Sequence, residues 1–80
     1  MPAATLEVLI TTPSQILFQG KAQSVTVPGE QGVFEMLPLH RPLVSRLIEG
    51  SMMVDEQVFS IRRGVLRVAD DVVTAVVELP

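Results

Sequence analysis

The single histidine of the chain, His40, lies in Leu37-Pro38-Leu39-His40-Arg41-Pro42, between two prolines that stiffen the backbone. To act as a general base or metal ligand it would need partners. There is no cysteine and no second histidine, so a structural or interface role is expected. Glu30 and Glu35 could pair for acid–base work, but no neighbouring feature would raise one pKa, and a solvated loop fits them better. Gly29 and Gly32, in Pro28-Gly29-Glu30-Gln31-Gly32, are spaced like a phosphate cradle. A P-loop would end in glycine, lysine and a hydroxyl residue and enter a helix, whereas Val33-Phe34-Glu35 follows here, so a turn is expected. Arg62, Arg63 and Arg67 form the basic cluster. On a strand, Arg63 and Arg67 point one way and Arg62 the other, which leaves a solvated edge or a contact to an acidic partner. No catalytic, cofactor-binding or metal site is assigned, and the chain is expected to be non-catalytic.

The elements that must hold these residues are strands. Thirteen valines, four isoleucines and five threonines make over a quarter of the 80 residues β-branched, a composition that suits pleated, half-buried surfaces. Leu6, Val8 and Ile10 alternate with Glu7 and Thr11, the period-2 pattern of a strand with one buried face. Ile16-Leu17-Phe18 and Gln23 to Val27 read the same way, with Gly20 as a break between them. Val58 to Ile61, Val65 to Ala69 and Val72 to Leu79 complete the series, the last two joined by an Asp70-Asp71 turn. Leu43 to Ile48 fits a short helix or a strand, and is read as a strand because Pro42 and Gly50 leave only two helical turns. Turn residues recur along the whole sequence, so the expectation is an all-β fold: a single small β-sandwich of two packed antiparallel or mixed sheets over residues 1–80.

Composition narrows the functions. The formal charge of −3 argues against a phosphate-backbone surface, so no nucleic acid partner is expected. Without Trp or Tyr and with only three Phe, stacking on bases or sugars is disfavoured. No apolar run reaches the roughly 20 residues of a spanning helix, so no direct membrane insertion is expected, and the N-terminus shows no signal-peptide pattern. A chain this short buries only about 60–65% of its unfolded surface and is expected to be marginal alone. Two classes fit: an interaction module within an assembly, and a carrier domain of the biotinyl or lipoyl type. The second would need a modified lysine at a hairpin tip, and the only lysine, Lys21, sits in Gln19-Gly20-Lys21-Ala22 without flanking methionines.

The order of the motifs says more than any one of them. Thr12-Pro13 is followed by Leu17-Phe18-x-Gly20, then Val25-x-Val27-Pro28-Gly29-x-x-Gly32-x-Phe34, then Leu37-Pro38-x-His40-x-Pro42-Leu43, then Gly50, Gly64-x-Leu66-x-Val68 and Val72-Val73-Thr74. This resembles the N-terminal domain of the epsilon subunit of F-type ATP synthases, in order, from about Leu6 to Val77. The sequence departs from that family's pattern in three places. Glu35 stands at a usual glycine, Arg41 at a usual alanine, and Arg62-Arg63-Gly64 at a usual Ser-Gly-Gly.

The resemblance implies a rotor subunit of the central stalk that links the gamma subunit to the membrane rotor ring, without catalysis or cofactor. It places ring contacts on Gly29, Glu30, Gln31, Gly32, Val33 and Glu35, and gamma contacts on Thr12, His40, Pro42 and Ser45. Phe34, in the same loop, is expected to be a core residue. The resemblance also implies a peripheral position on the cytoplasmic face of a bacterial inner membrane, ahead of a chloroplast thylakoid. The family usually continues into a two-helix C-terminal hairpin that can restrain ATP hydrolysis. Since the sequence ends at Pro80, that restraint is not expected of these residues.

Overall fold

The computed structural model describes residues 4–80. Nine strands follow one another: β1 (Leu6–Thr11), β2 (Ile16–Ala22), β3 (Val25–Gly29), β4 (Gly32–Met36), β5 (Leu43–Leu47), β6 (Gly50–Val54), β7 (Gln57–Ile61), β8 (Arg63–Ala69) and β9 (Val72–Glu78). There is no helix among the described residues, and the ambiguous segment after Pro42 is strand β5. The expected all-β class holds. The elements differ from the reading of the sequence in several places. Gly20 lies inside β2 rather than breaking it, the strand expected at Gln23 to Val27 is Val25–Gly29, and β4 and β6 are strands where none was expected.

Hydrogen bonding runs in the order β2-β1-β9-β8-β5-β3-β6-β7, with β4 on the other edge of β3. All neighbours are antiparallel except β1 and β9. The two layers of the sandwich are therefore two halves of one curled sheet. They meet at a narrow corner where β3 and β5 share the single pair Gly29–Leu47, reinforced by the Ile48 amide donating to the Pro28 carbonyl at 2.9 Å. At the far side the two ends of the sheet come together. Phe18 of β2 and Phe59 of β7 make an edge-to-face contact with centroids 6.2 Å apart, a geometry aromatic pairs favour. Asp55, in the β6–β7 turn, accepts from the Gln23 and Ser24 amides through Oδ1 at 2.9 and 3.1 Å.

Alternation fills the space between the layers. Leu6, Val8 and Ile10 of β1, Leu66 and Val68 of β8, and Val73, Ala75 and Val77 of β9 meet Val25, Val27, Met36, Met52, Val54 and Ile61 from the other half. No polar or charged side chain is buried among the described residues, so the interior supplies packing and no reactive group.

The ion pair of the described residues lies on the surface, where the Arg63 guanidinium bonds the Glu78 carboxylate across β8 and β9. The hydrogen bond between them holds Glu78 below its ordinary pKa and Arg63 above its own. A carboxyl lowered on folding adds stability above its unfolded pKa and loses it as pH falls through its folded pKa. The contribution therefore fades below the ordinary value of 4.5. Both groups are solvated, so salt screens the pair. Glu78→Gln is expected to lower the thermal midpoint slightly at pH 7 and to converge with the wild-type midpoint well below pH 4.5, as a pH series of melts would record.

Candidate interaction surface

β3 and β4 form a hairpin with Gly29 opposite Gly32 and Glu30-Gln31 as the two-residue turn. Gly32 has φ +128°, a conformation suited to glycine. At Gly29 a Cβ would fall 2.7 Å from the Phe34 ring and 2.9 Å from the Gly32 carbonyl oxygen. Glycine there lets Phe34 fold across the hairpin, half-buried and packed against the core. The two glycines that resemble a phosphate cradle in the sequence thus build a tight turn that projects Glu30 and Gln31 into solvent.

The Glu30 amide donates to the Arg46 carbonyl at 3.2 Å, which pins the tip against β5. Between hairpin and β5 runs an open groove of about 660 Å³, with Gln31, Val33, Phe34, Leu43 and Ser45 on its walls. Val33 is 73% exposed, an apolar side chain beside an acidic tip. Glu35 points out of β4 opposite Thr26, with none of the positive φ that would favour glycine. Its replacement of a glycine is solved by ordinary strand geometry.

The positions assigned to the second partner are spread along the other layer. Thr12 organises the β1–β2 turn: its Oγ1 accepts from the Ser14 and Gln15 amides at 3.2 and 3.0 Å. Register places Thr11 beside Val76, Val76 beside Val65, and Val65 beside Arg46. Thr12 therefore shares the hairpin-tip end of the layer. His40 and Pro42 precede Leu43, which pairs with Val68 toward the opposite end, near the β8–β9 turn. Ser45 lies between, opposite Leu66, its hydroxyl donating to the Arg46 carbonyl at 3.1 Å. His40 Nδ1 lies 2.7 Å from the Arg41 carbonyl oxygen. A carbonyl only accepts, so Nδ1 carries the proton.

Two residues that sequence reasoning passed over stand out near His40. Leu39 has φ +70° and is 86% exposed, and its amide donates to Asp71 Oδ1 at 2.7 Å. In the sequence Leu39 is only the variable position of a Pro-x-His motif, and Asp71 only half of a turn. Lys21 lies within β2 opposite Glu7 rather than at a hairpin tip, which does not suit a carrier lysine. Among the described residues no three His, Cys, Asp or Glu side chains gather as a metal site, and no helix is long and apolar enough to cross a membrane.

Residues 5–79 match the family model described as the ATP synthase, delta/epsilon chain, β-sandwich domain. The chain is 35% identical to the ATP synthase epsilon chain of Rickettsia typhi, over 92% of this chain and 74% of that one. It is 38% identical to the ATP synthase epsilon chain of a Nitratiruptor species, over 92% of this chain and 61% of the relative. Its fold is similar to a chain in the Euglena gracilis mitochondrial ATP synthase, resolved with OSCP, F1 and c-ring, at TM-score 0.85 and 21% identity, covering 94% of this chain and 51% of that one. A chain in the central stalk and c-ring of the Tetrahymena thermophila mitochondrial ATP synthase gives TM-score 0.75 at 14% identity, covering 98% and 66%. At such identities the structural likeness shows the fold. The chain thus spans from about half to three quarters of the length of these proteins.

Proposed function

The chain belongs to the ATP synthase delta/epsilon β-sandwich family, and on that premise we propose that it serves as a central-stalk rotor domain tying the gamma subunit to the membrane rotor ring. The match across residues 5–79, in a domain whose interior holds packing residues only, carries the reading. Its task is mechanical. Ion-driven rotation of the ring would pass through the domain to the stalk, and ATP would be made on other subunits. The chain would sit peripherally at the cytoplasmic face of a bacterial inner membrane.

The β3–β4 tip supports a ring-facing role for Gly29, Glu30, Gln31, Gly32, Val33 and Glu35. It is a rigid, protruding turn pinned to β5, with a carboxylate, an amide and an exposed valine at one end of the domain. Polar loops of a ring are met best by such mixed groups on a preorganised turn. Thr12, His40, Pro42 and Ser45 follow the length of the other layer, which suits a long, thin contact with gamma better than a single patch. No helix occurs among the described residues, so a helical restraint on ATP hydrolysis is not assigned to them.

The test is stoichiometric association with the gamma subunit and then with ring-bearing complex. Glu30→Lys and His40→Ala alter exposed or half-exposed loop side chains, so each is expected to keep the folding free energy within about 0.5 kcal/mol. Glu30→Lys should weaken retention on the ring-bearing complex, and His40→Ala should weaken gamma binding, each severalfold. Absence of gamma binding by the wild-type chain at micromolar concentration would refute the reading.

A further inference from the structure

The loop from Leu37 to Pro42 carries a large apolar side chain in a costly conformation with nothing in the domain to cover it. Leu39 adopts φ +70° and leaves 86% of its surface in water. A bulky side chain is rarely found in the left-handed region, and such outliers persist only where surrounding contacts hold them. Two contacts do so here. The His40 amide donates to the Leu37 carbonyl at 3.2 Å and closes the turn, and the Leu39 amide donates to Asp71 Oδ1 at 2.7 Å.

Asp71 is itself well placed to hold firm. Asp70 and Asp71 have φ +51° and +61°, the two-residue turn whose twist matches the flanking strands. The Asp71 carbonyl also accepts the Glu7 amide at 2.8 Å. The Asp71 backbone is thus fixed between β1 and the β8–β9 turn, and a charge-assisted bond that its carboxylate accepts from a backbone amide is stronger than a neutral one.

We infer that Asp71 is a positioning residue: it latches the 37–42 loop onto the β8–β9 turn and so presents Leu39 as the apolar anchor of that loop on the gamma subunit. The inference rests on the rotor reading proposed above, in which His40 and Pro42 of the same loop face gamma. An exposed leucine held rigidly before binding loses little freedom on docking, which is how a single side chain comes to dominate a contact.

Three variants separate the parts. Asp71→Gly keeps the turn's positive φ and the carbonyl that holds Glu7 but removes the acceptor; Asp71→Asn restores one. Leu39→Gly relieves the positive φ and keeps the amide but removes the side chain. In the free chain, exchange of the Leu39 amide, read by NMR, should quicken at least about tenfold in Asp71→Gly, the loss of a strong hydrogen bond, and stay slow in Asp71→Asn. Gamma affinity should fall about tenfold in Asp71→Gly, recover in Asp71→Asn, and fall about thirtyfold in Leu39→Gly, whose melting temperature should not drop. Unchanged exchange in Asp71→Gly would overturn the latch, and unchanged affinity in Leu39→Gly would overturn the anchor. A wild-type chain that fails to bind gamma would overturn the rotor reading and the anchor together, while the exchange measurement decides the latch independently.

Discussion

Gly64→Ala is expected to destabilise the domain by about 3 kcal/mol, the upper part of the range for forced overpacking. A Cβ at Gly64 would fall 2.7 Å from the Val76 carbonyl oxygen, 2.8 Å from Val77 Cγ1 and 3.1 Å from Val77 Cα. Two of those three atoms are backbone, and the backbone of β9 is held by pairing with β8 on one side and β1 on the other. Relief would require parting a ladder in the middle of the sheet, not rotating a side chain. A domain of 80 residues has roughly 4–12 kcal/mol in all, so thermal unfolding followed by circular dichroism should show a midpoint lower by about 12–24 °C. Gly64→Val should be worse, because a branched side chain multiplies the clash. Gly20→Ala is the control: its Cβ would meet only the Phe18 ring, at 3.7 Å, so it should be neutral or gain about 0.5–1 kcal/mol from reduced backbone freedom. Equal midpoints for the Gly64 and Gly20 variants would show that the close approach is not what glycine at 64 serves.

That contrast marks what the sequence could tell. β1, β8 and β9 were legible because one face of each is uniformly aliphatic, so period 2 survives in the letters. β4 and β6 were harder to read, because each is only five residues long and carries an outward apolar residue, Val33 or Met53. β8 and β9 run to seven residues and stay readable through their Val-rich composition, although Val65, Val72 and Val76 face outward. Gly20 was misread as a break because glycine usually ends a strand, whereas here the only neighbour near its missing Cβ is a ring two residues away. The Gly-x-x-Gly of the hairpin was correctly a turn and not a cradle, yet its two glycines do different work. Gly32 supplies a positive φ and Gly29 makes room for Phe34.

The candidate surface was legible as residue types and hidden as an arrangement. Motif order alone places Thr12 and His40 on one interaction surface. It cannot reveal that they stand toward opposite ends of a layer, because that follows from the parallel pairing of β1 with β9, a contact between segments more than sixty positions apart. The same limit hid the Leu39–Asp71 bond, which joins residues 32 positions apart. Local chemistry predicts turns. It does not predict which turns touch.

The core offers the second large effect, and it bears on the rotor role. Leu66 is fully buried in β8 between Ser45 and Ala75 of the neighbouring strands. Leu66→Ala should cost about 3 kcal/mol, from lost apolar transfer plus the cavity left where strands on both sides prevent collapse. The midpoint of the free chain should again drop by about 12–24 °C. A partner that binds only the folded form returns stability by mass action, about 2.7 kcal/mol when its free concentration is a hundred times Kd. Leu66 is fully buried and, of the proposed gamma positions, neighbours Ser45 and not Thr12, His40 or Pro42, so the variant's folded form should keep most of its intrinsic affinity for gamma. Saturating gamma should therefore restore most of the lost midpoint. A free chain that melts early and is rescued by gamma would show that docking on the folded form supplies stability the variant lacks alone. Rescue that fails, while the wild-type chain binds gamma normally, would mean that the packing around Leu66 also shapes the contact surface.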